Sequence, residues 1–212
     1  MEQRQLMALP ETRASISTLM SRYAQNQNKS LWCEKSISTI DYIDLVYRLF
    51  PSARYICLYR NALDQLASAI EALSLDPTGA SFGYTPYLGK SQSGVHDDLI
   101  DYWAAKTMAI REFESRHREQ SFRLCYESMV TEPEQTIREL FAFLGLAWFQ
   151  GFVGTVFSTQ HVIGPGDYKI RRADSIVATS VGRGGTALAS LISRDRIERV
   201  NEIHKEIGYS PI

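Results

Sequence analysis

The chain has 212 residues, 44% of them hydrophobic and 22% charged, enough to bury the core of one sizeable globular domain. A net charge of -1 argues against a general nucleic-acid binder, and no apolar run approaches the roughly 18 residues of a membrane span. Residues 1–10 lack the apolar core of a signal peptide, which makes the cytosol the expected compartment.

Taken in chain order, helical periodicity predicts helices near 11–25, 38–49, 62–73, 97–118, 133–144 and 193–207, with strands near 31–34, 54–59 and 122–126. The alternation points to an α/β protein on a central parallel sheet. The helix over 133–144 is the best defined. Pro133 suits its first position, Ile137, Leu140, Phe141 and Leu144 form one stripe, and Gly145 stops it. The domain divides into a helical lead-in (1–30), an α/β core (31–150) and a closing segment (151–212).

Two long stretches interrupt this rhythm. Ser74 to Val95 holds two prolines and four glycines among Phe82, Tyr84 and Tyr87; it reads either as an acceptor-binding lid or as a disordered insertion. Gly151 to Ser193 is glycine-rich and carries Lys169, Arg171, Arg172 and Arg183, a composition suited to a phosphate. Cys33, Cys57 and Cys125 each sit in a short apolar run and are expected in the core, and neither they nor the four histidines show metal-ligand spacing. No metal is expected.

The most informative segment is Phe50 to Ser68. A strand ends in Arg60 and turns directly into a helix that carries Ser68. Free N–H groups, the helix dipole and the guanidinium fork all favour an anion at such a joint. Asn61 is a good N-cap, and Asp64 three residues on completes a capping-box-like pattern.

This segment resembles the one by which sulfotransferases using 3'-phosphoadenosine 5'-phosphosulfate (PAPS) hold the cofactor's 3'-phosphate. Further motifs follow in the same order: Leu31 to Ser36 resembles the strand ending in Lys-Ser-Pro, with Ile37 in place of the proline. Leu124 to Val130, Glu132-Pro133 and Phe143 to Leu146 resemble the Tyr-Glu-Asp-Leu, acidic-Pro and Phe-Leu-Gly-Leu series. The GDYK turn at Gly166 to Lys169 and Val181 to Gly185 resemble the carboxy-terminal cofactor loop. The resemblance, to the bacterial and polyketide-associated kind, implies a three-layer, P-loop NTPase-like fold. It also implies PAPS as cofactor, the bisphosphate PAP as product, and a hydroxyl or amine of a small molecule as acceptor. It implies Arg60, Ser68, Arg183 and Gly184 at the 3'-phosphate and Tyr126 at the adenine. Lys35 is the candidate cationic residue, and His161, with His96 and Glu34 behind it, the candidate base.

One departure is large. The family begins with a strand and a glycine-rich loop around the 5'-phosphosulfate, whereas residues 1–30 contain no glycine and the chain has no Walker A pattern. A truncated chain or one piece of a split protein is expected from this, with an open sheet edge prone to homodimerisation. Two other readings stay open: a catalytically silent PAP-binding module, and a nucleotide kinase of related architecture.

Overall fold

The computed structural model of the protein describes residues 2–158 and 175–212. They gather into two compact units, residues 1–53 and 54–212. The first unit consists of helix α1 (Glu2–Asn26), a 3₁₀ turn (Thr39–Tyr42) and helix α2 (Ile43–Leu49). Asn28, at φ 55°, closes α1 in the left-handed conformation that asparagine tolerates, and Lys29 N donates back to Ala24 O at 2.8 Å. Residues 31–34, expected as a strand, run without secondary structure, as do Lys35 and Ser36. An apolar run becomes a strand only where a neighbour takes its backbone groups, and here Leu31 and Cys33 are exposed while Trp32 meets Phe50 edge-on at 5.7 Å.

In the second unit, strand β1 (Tyr55–Tyr59) pairs in parallel with β2 (Ser121–Cys125), Tyr55 opposite Ser121 and Tyr59 opposite Cys125. Among the described residues these two strands form the whole sheet, so the broader three-layer sheet expected from the sequence is reduced to one parallel pair. The crossover between them holds helices α3 (Ala62–Leu75) and α4 (Val95–Arg116). Short α5 (Tyr126–Thr131) leads to α6 (Pro133–Leu144), bounded by Pro133 and Gly145 as predicted. Then come α7 (Phe152–Ser158), α8 (Thr186–Ala189) and α9 (Arg194–Ile207).

Strand alternation decides what each face does. Cys57 and Tyr59 are buried on one face, where α4 packs and Phe113 meets Tyr55 at 4.9 Å. On the other face Phe122 packs on Phe143 of α6 at 5.5 Å, but Ile56 and Leu58 of β1 stay 39% and 47% exposed. The sheet is therefore covered by α4 on one face, while the other face is covered by α6 over β2 and left open over β1. Among the described residues no helix is long and apolar enough to cross a membrane.

Polar pairs fix α9 against α4. Arg196 reaches Asp101 at 2.9 Å and Asp97 at 3.5 Å, while Ser193 N donates to Asp97 Oδ1 at 2.9 Å. The stretch between α3 and α4 is tied to α4 by hydrogen bonds and ring contacts. Asp98 accepts from Gly89 N and Ser91 N, both at 2.6 Å, and buried Tyr84 meets Tyr102 edge-on at 4.8 Å. The three cysteines are free and differ in setting: Cys57 is buried, Cys125 half-buried and Cys33 exposed, contrary to the expectation of three core thiols.

Candidate functional site: an arginine at a sealed helix start

Arg60 leaves the end of β1 one residue before the N-cap of α3. Its Nη1 donates to Ser68 Oγ at 3.0 Å, so the two residues anticipated as phosphate ligands do meet. The guanidinium lies over the Tyr126 ring at 4.1 Å, within the range of a cation–π contact. The Tyr126 hydroxyl is 2.7 Å from Ser180 Oγ, and Arg60 Nη2 reaches Ser180 O at 3.5 Å. Arg60, Ser68, Tyr126 and Ser180 thus form one cluster drawn from β1, α3, α5 and the segment before α8.

One donor in it is left over. Arg60 Nε is shielded from solvent and has no hydrogen-bond partner among the described residues. A buried N–H without an acceptor costs on the order of 1–3 kcal/mol, which an oxygen-rich ligand would recover. A guanidinium with an unmet donor beside a serine hydroxyl fits a phosphate dianion.

The helix start itself differs from the expectation. Asn61 caps it as predicted, accepting from Leu63 N at 2.9 Å and Asp64 N at 3.3 Å. The other two N–H groups are also taken: Asn61 N donates to Glu127 Oε1 at 2.8 Å, and Ala62 N to His204 Nε2 at 3.2 Å. The first-turn donors of α3 are therefore spent inside the protein, and Glu127 and Asp64 place two carboxylates beside them. The helix's first turn thus has no backbone donor left for an anion.

Asp64 also departs from the capping-box reading. Its carboxylate accepts from Gly182 N and Gly184 N, both at 2.8 Å, and so docks the carboxy-terminal loop onto α3. The approach is close enough that a Cβ at position 184 would lie 2.2 Å from the Leu63 carbonyl carbon. Gly184 is required by contact, Gly182 by its φ of 77°.

Arg183, between them, is exposed, with Nη1 and Nη2 both 3.3 Å from Glu71 Oε2. Lys35 lies exposed in the first unit, where neighbouring Glu34 accepts from Thr39 Oγ1 at 2.8 Å. His161 and the GDYK turn at 166–169 lie outside the described residues, and His96 sits in the first turn of α4. Tyr84 of the α3–α4 loop is close to the cluster. Burial raises its phenol above the ordinary value, while Arg60 and Gln65 pull it down.

Ser180, Glu127 and His204 carried no signal as site residues in the sequence, because each is brought in by a contact spanning 66 or more positions. Only Glu127, beside Tyr126 in a family-like motif, stood near a residue already singled out.

The family model for the sulfotransferase family matches residues 2–150. The fold is similar to that of a solved sulfotransferase domain from the curacin biosynthetic pathway. The TM-score is 0.68 at 15% identity, and the match covers 94% of this chain and 69% of that one. No curated protein matches this chain. With a family model spanning well over half of its residues, the chain belongs to the sulfotransferase family.

Proposed function

We propose that this protein is a PAPS-dependent sulfotransferase whose Arg60, Ser68 and Tyr126 hold the 3'-phosphate end of the cofactor, with a hydroxyl or amine of a small molecule as acceptor. The observation that carries the reading is the Arg60 guanidinium, bonded to Ser68 and stacked on Tyr126, with its Nε unmet among the described residues. PAPS, when bound, supplies the sulfuryl group as a mixed anhydride with a phosphate leaving group.

The chain's own residues contribute recognition. Ser68 Oγ accepts from Arg60 and keeps its own proton to donate to a phosphate oxygen. Arg183 competes from a half-exposed ion pair with Glu71, a kind worth about 0–1 kcal/mol, so a phosphate can draw it away at little cost. Gly184, pressed against Leu63, sets how closely the loop approaches α3.

A second reading, a catalytically silent PAP-binding module, is favoured by the cluster itself, whose contacts bear on recognition and not on sulfuryl transfer. Turnover by this chain separates the two.

Thermal unfolding with PAP or with AMP, in the wild type and in Arg60→Ala, tests the recognition step. At 100 times its dissociation constant PAP should add about 2.7 kcal/mol, roughly 5–10 °C for a domain of this size. AMP, lacking the 3'-phosphate, should add far less, and Arg60→Ala should abolish the difference. Equal shifts with PAP and AMP would remove the 3'-phosphate from the reading.

A further inference from the structure

The turn that delivers Arg60 is gripped at three successive backbone groups by side chains from three other helices or their ends. Trp103 Nε1 on α4 donates to Arg60 O at 3.1 Å. Glu127 Oε1 on α5 accepts from Asn61 N at 2.8 Å. His204 Nε2 on α9 accepts from Ala62 N at 3.2 Å.

The histidine ties the other two together. It is fully buried, edge-on to Trp103 at 5.4 Å and stacked on Tyr209 at 5.4 Å. Tyr209 OH donates to Glu127 Oε2 at 2.5 Å. Because an amide N–H can only donate, Nε2 must accept, and the ring is the neutral tautomer with its proton on Nδ1. That proton is directed at Ser210 O, 2.9 Å away. The Ser210 bond holds the turn after α9 so that Tyr209 lies against Glu127.

We infer that His204 is a positioning residue for the anion site. By accepting the Ala62 N–H it fixes the strand-to-helix turn, and with it the direction in which Arg60 presents its guanidinium. The inference rests on the reading of Arg60 as the 3'-phosphate ligand. His204 touches no ligand atom and takes no part in the chemistry. A histidine kept only for packing would need neither ring nitrogen matched to a backbone group, and here both are.

The grip exists in one charge state only, since an imidazolium has no acceptor. The titratable groups facing the ring are Glu127 from α5, whose charge favours protonation, and Tyr209 beyond α9. Trp103 from α4 and Ala62 from α3 complete its surroundings and do not titrate.

Two substitutions separate the ring's two bonds. His204→Gln can place an oxygen where Nε2 accepts, keeping the Ala62 bond and losing the donor to Ser210. His204→Asn can place an NH₂ where Nδ1 donates, keeping Ser210 and leaving Ala62 N–H unpaired. PAP dissociation constants, unfolding temperatures and ligand-free amide exchange over residues 60–64 are measured for both. His204→Asn should bind PAP about tenfold more weakly, with Ala62 exchanging about tenfold faster, as expected for an unpaired buried donor. His204→Gln should stay within about threefold of the wild type on both readings. Equal PAP affinity in the wild type and His204→Asn overturns the inference, as does loss in both variants in step with unfolding temperature. If the wild type does not bind PAP, the phosphate reading falls by itself. The exchange measurement still judges the grip: unchanged Ala62 protection in His204→Asn overturns it, and faster exchange in that variant alone supports it.

Discussion

Asp64 accepts hydrogen bonds from Gly182 N and Gly184 N at 2.8 Å each, joining the first turn of α3 to a loop about 120 positions away. The carboxylate is 4% exposed, so both bonds are shielded from water. Through this clasp Ser180 is kept beside Arg60 and Tyr126.

Asp64→Asn should release the loop. An amide has one acceptor atom, so one glycine N–H would face an NH₂ group instead of an oxygen. The expected cost is about 1–3 kcal/mol of stability, because a buried donor loses its partner. PAP affinity should fall about tenfold, since Ser180 and Gly184 lose their position. Denaturant titration and calorimetry measure the two effects, and unchanged PAP binding in a destabilised variant would separate the loop from the site.

Glycine substitutions in the same loop should rank by mechanism. Gly184→Ala meets immobile backbone, with Leu63 C at 2.2 Å and Leu63 O at 2.4 Å, and should undock the loop. Gly182→Ala meets nothing within 4 Å but keeps a φ of +77°, at a cost of roughly 1–2 kcal/mol. Gly185→Ala meets nothing and needs no positive φ, so it serves as the control. PAP affinity should therefore fall in the order Gly185, Gly182, Gly184. A large loss at Gly185 would contradict the contact argument.

The open face of β1 makes a separate prediction. Leu58 is 47% exposed, so Leu58→Thr should change stability by less than about 0.5 kcal/mol. Leu66 on α3 is 1% exposed, and Leu66→Ala should cost about 2–5 kcal/mol. Urea unfolding of both variants checks this. A Leu58→Thr cost approaching that of Leu66→Ala would mean that the β1 face is covered in solution.

What the sequence disclosed follows the range of the interaction. The Arg60–Ser68 pair was legible through the family resemblance, since spacing alone did not establish their contact, and the helix 133–144 because Pro133 and Gly145 mark its ends locally. Residues 31–34 read as a strand because an apolar run specifies propensity but not the neighbour that a strand requires. Asp64 was misassigned for the same reason. Its spacing from Asn61 fits a capping box, but two loop amides win the carboxylate, and Glu127 takes the Asn61 N–H instead. The family motifs marked the carboxy-terminal loop as a second phosphate contact, and in the structure Ser180 O, just before that loop, lies 3.5 Å from Arg60 Nη2. They did not reveal that Arg183, the loop's charged residue, is engaged by Glu71.

Stability should form a plateau against pH, with limbs assigned to particular groups. Burial holds His204 below its ordinary value of 6.5, against the pull of Ser210 and Glu127. Below about 6.5 the unfolded chain takes up this proton before the folded one does, so stability is complete above that value and is lost as pH falls through the lower folded pKa. A second acid step begins below about 4.5. Burial raises Glu114, but the bonds from Arg123 and Tyr59 outweigh it and hold the carboxyl low. On the alkaline side burial, aided by Glu114, pushes the Cys57 thiol from 9.0 up to about 11. The unfolded chain gives up this proton first, so stability is complete below pH 9 and falls as pH rises toward 11, by about 1–3 kcal/mol. Tyr59 and Tyr209, also raised by burial and by their bonds to Glu114 and Glu127, extend the decline above pH 10. Urea midpoints measured from pH 5 to 11 should show the plateau between about 6.5 and 9. His204→Gln should flatten the first acid step and Cys57→Ala the start of the alkaline limb, each leaving the other in place. An acid step unchanged in His204→Gln would assign it to another group and remove the histidine's charge from the energetics of the α3 turn.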